Sequence, residues 1–205
     1  MNRITAYIRQ SLQDIYPPEE VKALSMLICC DMLGVDALDI YMGKDIILSA
    51  CKQRELENII FRLQKNEPIQ YIRGYAEFCG RNFRVAPGVL IPRPETAELV
   101  DLIVKENPDA RRLLDIGTGS GCIAISLDKN LPDAKVDAWD ISEEALAIAR
   151  KNNEELDAQV TFRRQDVFSA DGIQGTSYDI IVSNPPYVTE TETVSYTHLR
   201  AHETL

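Results

Sequence analysis

The four residues Asn184-Pro185-Pro186-Tyr187 bring together an amide, two proline rings and an aromatic ring. They follow the apolar run Ile180-Ile181-Val182, which predicts a buried strand. Two prolines cannot continue a central strand because each lacks a backbone N–H. We therefore expect Asn184 at the carboxyl end of the strand, where ligands bind in open α/β sheets. The turn could accept hydrogen bonds from an NH2 group and cover the planar group that carries it; an ordinary β-turn is the alternative.

A glycine-rich turn, Gly117-Thr118-Gly119-Ser120-Gly121, separates a predicted strand over residues 113–116 from a helix that begins at Cys122. Such a turn lets a ligand approach the backbone at a helix N-terminus. Its third glycine comes one residue earlier than in the dinucleotide fingerprint G-x-G-x-x-G. Asp115, beside the turn, would repel a pyrophosphate but attract a cationic amino-acid ligand. These features favour S-adenosylmethionine, which carries a sulfonium and an α-ammonium group, over NAD.

Acidic residues also follow the next two predicted strands. Asp140 ends the strand over residues 136–140 and lies 19 residues after Gly121, where an acid can hold two ribose hydroxyls. Asp166 and Val167 follow the third strand, and we expect them to meet the amino group and the ring of an adenine. The alternatives are a solvated strand-end acid or helix cap for Asp140, and a solvated loop acid for Asp166.

The spacing of apolar residues predicts the elements that position these groups. Helical periodicity indicates a small bundle, with helices over residues 1–15, 19–34 and 46–65 and one or two turns over 36–42. Short alternating segments on either side of Gly80 predict a β-hairpin, and Pro94 suits the first position of a helix that runs to Glu106. From residue 111, strands alternate with helices, one of them capped by Ser142, which predicts a parallel Rossmann-like sheet.

Charge and composition narrow the class of protein. The net charge is −10, of which residues 76–205 carry −9, and this weighs against a nucleic-acid partner, since phosphate contacts require a basic surface. The five cysteines form no CxxC pair, which indicates a reduced cytoplasmic protein without a zinc site. We find no apolar run long enough to cross a bilayer and no signal-peptide pattern, so we expect no membrane partner.

Several motifs together resemble the HemK/PrmC family, the N5-glutamine methyltransferases of peptide chain release factors. The resemblance covers roughly residues 1–190. It includes a helical domain ahead of residues 90–96, the motif shared by the fewest other families. The motifs are Tyr71-Ile72-x-Gly74, Glu77-Phe78-x-Gly80-x-x-Phe83, Leu90-Ile91-Pro92-Arg93-Pro94-Glu95-Thr96, Asp115-Ile116-Gly117-Thr118-Gly119-Ser120-Gly121 and Asn184-Pro185-Pro186-Tyr187.

The resemblance implies a helical substrate-recognition domain over residues 1–74 and an incomplete S-adenosylmethionine-dependent methyltransferase core over residues 75–194. It implies that the glycine turn, Asp140, Val167 and Asn184 line the cofactor pocket, although Val167 replaces the family's aromatic residue. It further implies that residues 184–187 hold the substrate glutamine, with Asn184, Pro185 and Tyr187 acting in the methyl transfer.

Residues 195–205 depart from the family, which continues through several more strands and helices. Truncation, a frameshift or a sequencing artefact would explain this tail. His198 and His202 are spaced i, i+4 but have no third ligand nearby in the sequence, so we expect no metal site. Two alternative functions remain: an amino methyltransferase of nucleic acid, acting on adenine N6 or guanine N2, and an inactive fragment.

Overall fold

The computed structural model describes residues 2–169 and 177–185, which fall into two compact units divided between Arg73 and Gly74. The first unit is helical. Its elements are α1 (Arg3–Leu12), α2 (Pro18–Met26), a π-helical segment (Leu27–Met32), α3 (Ala37–Tyr41), α4 (Ala50–Leu63) and α5 (Ile69–Arg73). Their apolar faces share one core, in which Ile8, Leu12, Ile28, Leu56 and Leu63 are fully buried.

Three helices of this unit differ from the sequence prediction. The predicted helix over residues 1–15 ends at Leu12. The predicted helix over residues 19–34 changes to π-helix at Leu27, where Leu33 N–H bonds to Ile28 C=O at 2.9 Å. In an α-helix, residues five positions apart point in directions roughly 140° apart around the helix axis. The wider π-helical turn brings Ile28 and Leu33 to the same side, and both are buried. The predicted helix over residues 46–65 begins only at Ala50, because Ser49 caps it by accepting from Lys52 N–H. The short helix α5 was not predicted.

In its described residues, the second unit combines a hairpin, three helices and a sheet. Its elements are β1 (Tyr75–Phe78), β2 (Arg81–Arg84), α6 (Pro94–Glu106), β3 (Arg112–Ile116), α7 (Cys122–Asn130), β4 (Lys135–Asp140), α8 (Glu143–Glu155), β5 (Thr161–Arg164) and β6 (Ile180–Ser183). The hairpin and the first position of α6 at Pro94 are confirmed. Cys79 and Gly80 both have positive φ, 47° and 69°, as a two-residue primed hairpin turn requires.

The sheet is parallel, as predicted, and its strand order is β5-β4-β3-β6. In the register, Ile116 pairs with Trp139 of β4 and with Ser183 of β6. Asp140 pairs in turn with Arg164 of β5. Because all four strands run in the same direction, the residues that follow them lie along one edge. That edge carries the glycine turn, Asp140, the segment from Gln165 and Asn184.

Candidate functional site

The glycine turn after β3 has two different kinds of glycine. Gly117 and Gly119 have positive φ, and a Cβ added to either would meet no atom within 4 Å. Gly121 also has positive φ, but a Cβ there would lie 3.1 Å from both Ala149 Cβ and Ile125 Cδ1. The first two glycines therefore leave open space beside the backbone, as close approach of a ligand requires, whereas Gly121 lets α7 and α8 pack.

The other two residues of the turn are buried. Thr118 donates its hydroxyl to Asp115 Oδ2 at 2.6 Å, and its N–H bonds to Trp139 C=O at 3.0 Å. Ser120 is buried as well, and its carbonyl accepts a hydrogen bond from a side chain of α8. Both residues shape the turn from within, so their contribution to ligand binding would come from the backbone rather than from their hydroxyls.

Asp115 is the buried acid of the site, with a side chain only 1% exposed. Its Oδ1 has no hydrogen-bond partner within the described part of the chain. Burial raises the pKa of Asp115 to about 6, against the opposing effects of the Thr118 hydroxyl and the Ala124 backbone N–H. A buried acceptor without a partner is costly, and a cation at the turn would offset that cost. This acid therefore fits a ligand with an ammonium group better than one with a phosphate.

Asp140 connects the turn to the next helix. Its Oδ2 accepts the Gly119 N–H and its Oδ1 accepts the Ser142 N–H, each at 2.9 Å. Ser142 itself caps α8 by accepting from Ala145 N–H, as predicted. A carboxylate offers about four lone-pair positions, so two hydrogen bonds leave capacity for hydroxyl donors. Asp140 thus has a structural role in the turn and remains able to hold a ribose.

The segment after β5 is open to solvent. Asp166 is exposed, and its Oδ1 accepts the Phe168 N–H at 2.9 Å, which closes a local turn. Val167 is 39% exposed and Phe168 95% exposed, and Ile141, after Asp140, is also exposed. Ile141 and Phe168 escaped the sequence analysis. Exposed apolar residues at the ends of adjacent strands provide surfaces on which a planar ring can pack.

Asn184 follows β6 at the same edge, and its side chain has a defined partner. Asn184 Nδ2 donates to Thr96 Oγ1 at 2.9 Å, joining two motifs that lie 88 residues apart. Pro185 is exposed. Pro186 and Tyr187 lie outside the described residues, and so do His198 and His202. In the described ranges, no three His, Cys, Asp or Glu side chains are grouped to hold a metal ion.

Asn152 of α8 is a further residue that the sequence analysis missed. It is fully buried, and its Nδ2 donates to Ser120 C=O at 2.8 Å and to Arg84 C=O at 3.1 Å. Its Oδ1 accepts the Arg84 N–H at 2.7 Å. One side chain therefore ties the hairpin to the glycine turn. An Asn among the polar residues of a helix gives no sequence signal for such a role.

Comparison with known proteins identifies the family to which this chain belongs. Residues 4–74 match the PrmC N-terminal domain, and residues 95–201 match the Methyltransferase small domain. The release factor glutamine methyltransferase of Flavobacterium psychrophilum is 40% identical over 188 residues, covering 89% of this chain and 66% of the relative. That of Koribacter versatilis is 51% identical over 163 residues, covering 78% and 58%. The chain thus spans between half and two thirds of the length of these two relatives.

A solved structure is also similar. The Thermus thermophilus 16S rRNA N2 G1207 methyltransferase, in complex with AdoMet and guanosine, has a TM-score of 0.48 and 24% identity, over 57% of this chain and 33% of that one. No helix in residues 2–169 and 177–185 is long and apolar enough to cross a membrane. The two domain matches, in this order along the chain, show that it belongs to the HemK/PrmC family of S-adenosylmethionine-dependent methyltransferases.

Proposed function

We propose that the protein transfers a methyl group from S-adenosylmethionine to the side-chain amide nitrogen of a glutamine in a peptide chain release factor. The observation that carries this proposal is the position of Asn184. Asn184 directly follows β6, which pairs with β3, and the glycine turn directly follows β3. An amide that can bind another amide thus stands next to the turn proposed to hold the cofactor. The names of the two relatives support the substrate class.

In this proposal the cofactor is held by the residues at the strand ends. Open space beside Gly117 and Gly119 admits it to the backbone, and the Asp115 carboxylate attracts its ammonium group. Asp140 accepts the ribose hydroxyls, and Asp166 with Val167 meets the adenine. When bound, S-adenosylmethionine supplies an electrophilic methyl group, and its sulfur keeps the electron pair of the broken C–S bond.

The substrate is held by residues 184–187. An amide nitrogen is a weak nucleophile because its lone pair is delocalised into the carbonyl. Asn184 Oδ1 and the Pro185 carbonyl would accept the two N–H bonds of the glutamine and direct the nitrogen at the methyl group, with Tyr187 packed on the amide plane. The nitrogen forms the new N–C bond and releases one proton to water. Positioning of this quality can lower a barrier by about 7–11 kcal/mol, so a strong base is unnecessary.

We further propose that residues 1–74 recognise the release factor, that residues 75–194 carry the methyltransferase core, and that the reaction takes place in the cytoplasm. The helical unit supports the first assignment because it has its own core and exposes Leu38, Tyr41, Met42 and Ile47. Aromatic residues and Met are enriched at protein interfaces.

The test is the Asn184→Ala variant in a methyl-transfer assay with a purified release factor. We expect the variant to lose at least 100-fold in rate, because the substrate amide loses a positioned acceptor. Asn130→Ala is the matched control, since Asn130 makes one side-chain hydrogen bond, to Ser126 C=O, at the far end of α7. Asn184→Ala turning over at the parent rate would remove Asn184 from the mechanism.

The same turn would suit the exocyclic amino group of a nucleic-acid base, stacked on Tyr187 after base flipping. The net charge of −9 on residues 76–205 argues against this alternative, because nucleic-acid phosphates bind to basic surfaces. A gel-shift titration at low salt separates the two substrate classes. We expect no tight binding of RNA or DNA, whereas tight binding with a steep salt dependence would favour a nucleic-acid substrate.

The remaining alternative is an inactive fragment that does not bind the cofactor. Calorimetric titration of the 205-residue chain with S-adenosylhomocysteine decides this point. The described residues already bring the four strand ends to one edge. We therefore expect saturable binding with one site per chain; absence of binding would support the fragment alternative.

A further inference from the structure

Thr96 lies at the site but has no role in the proposed function. It lies in the first turn of α6, which begins at Pro94, and its N–H bonds to Arg93 C=O at 3.1 Å. Its side chain is 8% exposed, and its hydroxyl oxygen accepts the Asn184 Nδ2–H at 2.9 Å. A helix start thus places a buried hydroxyl against the amide that ends β6.

The two ends of an amide side chain have opposite hydrogen-bonding character. The NH2 end only donates, whereas the oxygen end only accepts. An NH2 group of a substrate can bond to the oxygen end and is repelled by the other. Because Thr96 Oγ1 takes the Nδ2 end of Asn184, the oxygen is the end left to accept from a ligand.

We propose that Thr96 is a positioning residue that anchors the Asn184 side chain through its Nδ2 end, with Oδ1 facing the amino group to be methylated. The inference rests on the proposed function and adds a specificity element to it. Thr96 itself does not touch the substrate. Because a hydroxyl can bond to either end of an amide, Thr96 acts by anchoring the Asn184 side chain rather than by selecting one end. Without this anchor, Oδ1 would face the amino group for a smaller share of the time.

Thr96→Val and Thr96→Ser form a matched pair for the test. Valine keeps the volume and branching of threonine but has no hydroxyl, whereas serine keeps the hydroxyl. A net hydrogen bond shifts an equilibrium by roughly three- to tenfold. We therefore expect kcat with a release factor to fall roughly three- to tenfold in Thr96→Val and by less than twofold in Thr96→Ser. Binding of S-adenosylhomocysteine should stay within about twofold of the parent in both.

A second readout does not depend on the substrate. The 205-residue chain is labelled with 15N-asparagine for NMR. The side-chain NH2 signals of Asn184 are assigned as those missing from the spectrum of Asn184→Ala. We expect solvent exchange of one NH2 proton to be slowed in the parent and in Thr96→Ser, and several-fold faster in Thr96→Val. This measurement stands even if no release factor is methylated, so failure of the proposed function and failure of this inference are distinguishable.

Three results would overturn the role of Thr96. The first is an unchanged Asn184 NH2 signal in Thr96→Val. The second is an equal loss of kcat in the serine and valine variants. The third is a loss of kcat in Thr96→Val that is matched by an equal loss of cofactor affinity and a lower melting temperature, because a purely structural role for the hydroxyl produces that pattern.

Discussion

The carboxylate of Asp140 accepts the backbone N–H of Gly119 at 2.9 Å, across the gap between two adjacent strands. Its other oxygen accepts the Ser142 N–H before α8. The acid proposed to hold the ribose is therefore also the acid that fixes the glycine turn. Loss of this side chain should affect both the ligand and the turn.

Replacing Asp140 by Ala should weaken S-adenosylmethionine binding ten- to a hundredfold, since hydrogen bonds to a charged group contribute about 1.5–3 kcal/mol. The melting temperature should fall as well, because Gly119 and Ser142 lose their acceptor. Asp140→Asn should lose less of both, since its oxygen still accepts one bond. Calorimetry and thermal unfolding on the same samples measure the two effects. Unchanged affinity in the alanine variant would exclude Asp140 from the ligand site.

The free energy of unfolding should depend on pH through Asp115. Its pKa in the folded protein is about 6, above the ordinary 3.8. The folded state therefore holds this proton more tightly, and the contribution of Asp115 to stability falls as pH rises from about 4 to about 6. The full difference is about 3 kcal/mol, because each pKa unit corresponds to 1.36 kcal/mol.

Asp115→Asn should abolish that pH dependence, and urea unfolding at pH 4 and pH 7 measures it. The stability of the variant relative to the parent should rise by about 2 kcal/mol between these pH values, because part of the full difference is already present at pH 4. At pH 7 it should also bind S-adenosylmethionine more weakly, because the carboxylate that attracts the ammonium group is gone. Parallel stability curves for parent and variant would contradict the buried, pKa-shifted acid.

Two glycine variants should separate packing from ligand access. Gly121→Ala would bring a methyl group to 3.1 Å from Ala149 Cβ and from Ile125 Cδ1 at positive φ, so we expect a loss of about 2–4 kcal/mol in stability. Gly119→Ala meets no neighbour and should cost about 1–2 kcal/mol, from backbone strain alone. For each kcal/mol of stability lost, Gly119→Ala should nevertheless weaken cofactor binding more than Gly121→Ala does. An equal loss of affinity per kcal/mol in the two variants would indicate that Gly119 has no ligand-facing role.

Asn152→Ala should destabilise the second unit by about 2–4 kcal/mol, because it removes a buried hydrogen bond to Ser120 C=O and two part-buried hydrogen bonds to the Arg84 backbone. Lys151→Ala, an exposed position on the same helix, is the control and should change stability by less than about 0.5 kcal/mol. Urea unfolding of both variants provides the comparison. A mild Asn152→Ala phenotype would show that the hairpin and the glycine turn do not depend on this side chain.

Local patterns predicted most elements of the second unit. Pro94 marks the start of α6, Ser142 caps α8, and β-α alternation predicts the parallel sheet, because each of these signals acts over a few residues. The π-helical segment after Leu27 could not be predicted in this way. It depends on how Ile28 and Leu33 pack in the core of the helical unit rather than on their local propensity.

The candidate site shows the same division. Asp140 and Asn184 were predicted as strand-end groups, and the sheet places both at its carboxyl edge. The hydrogen bond between Asn184 and Thr96 was not predicted, because the two residues lie 88 positions apart. The role of Asn152 was not predicted either, because it is an ordinary polar residue in the sequence of α8. Such contacts between distant segments require the three-dimensional arrangement.

The most direct test of the account is the position of the transferred methyl group. A release factor is incubated with the protein and S-adenosylmethionine, digested, and examined by tandem mass spectrometry. The account predicts one added methyl group on the side-chain nitrogen of a single glutamine, present with the parent and strongly reduced with Asn184→Ala. A methyl group on any other residue type, or an equal yield from parent and variant, would contradict it.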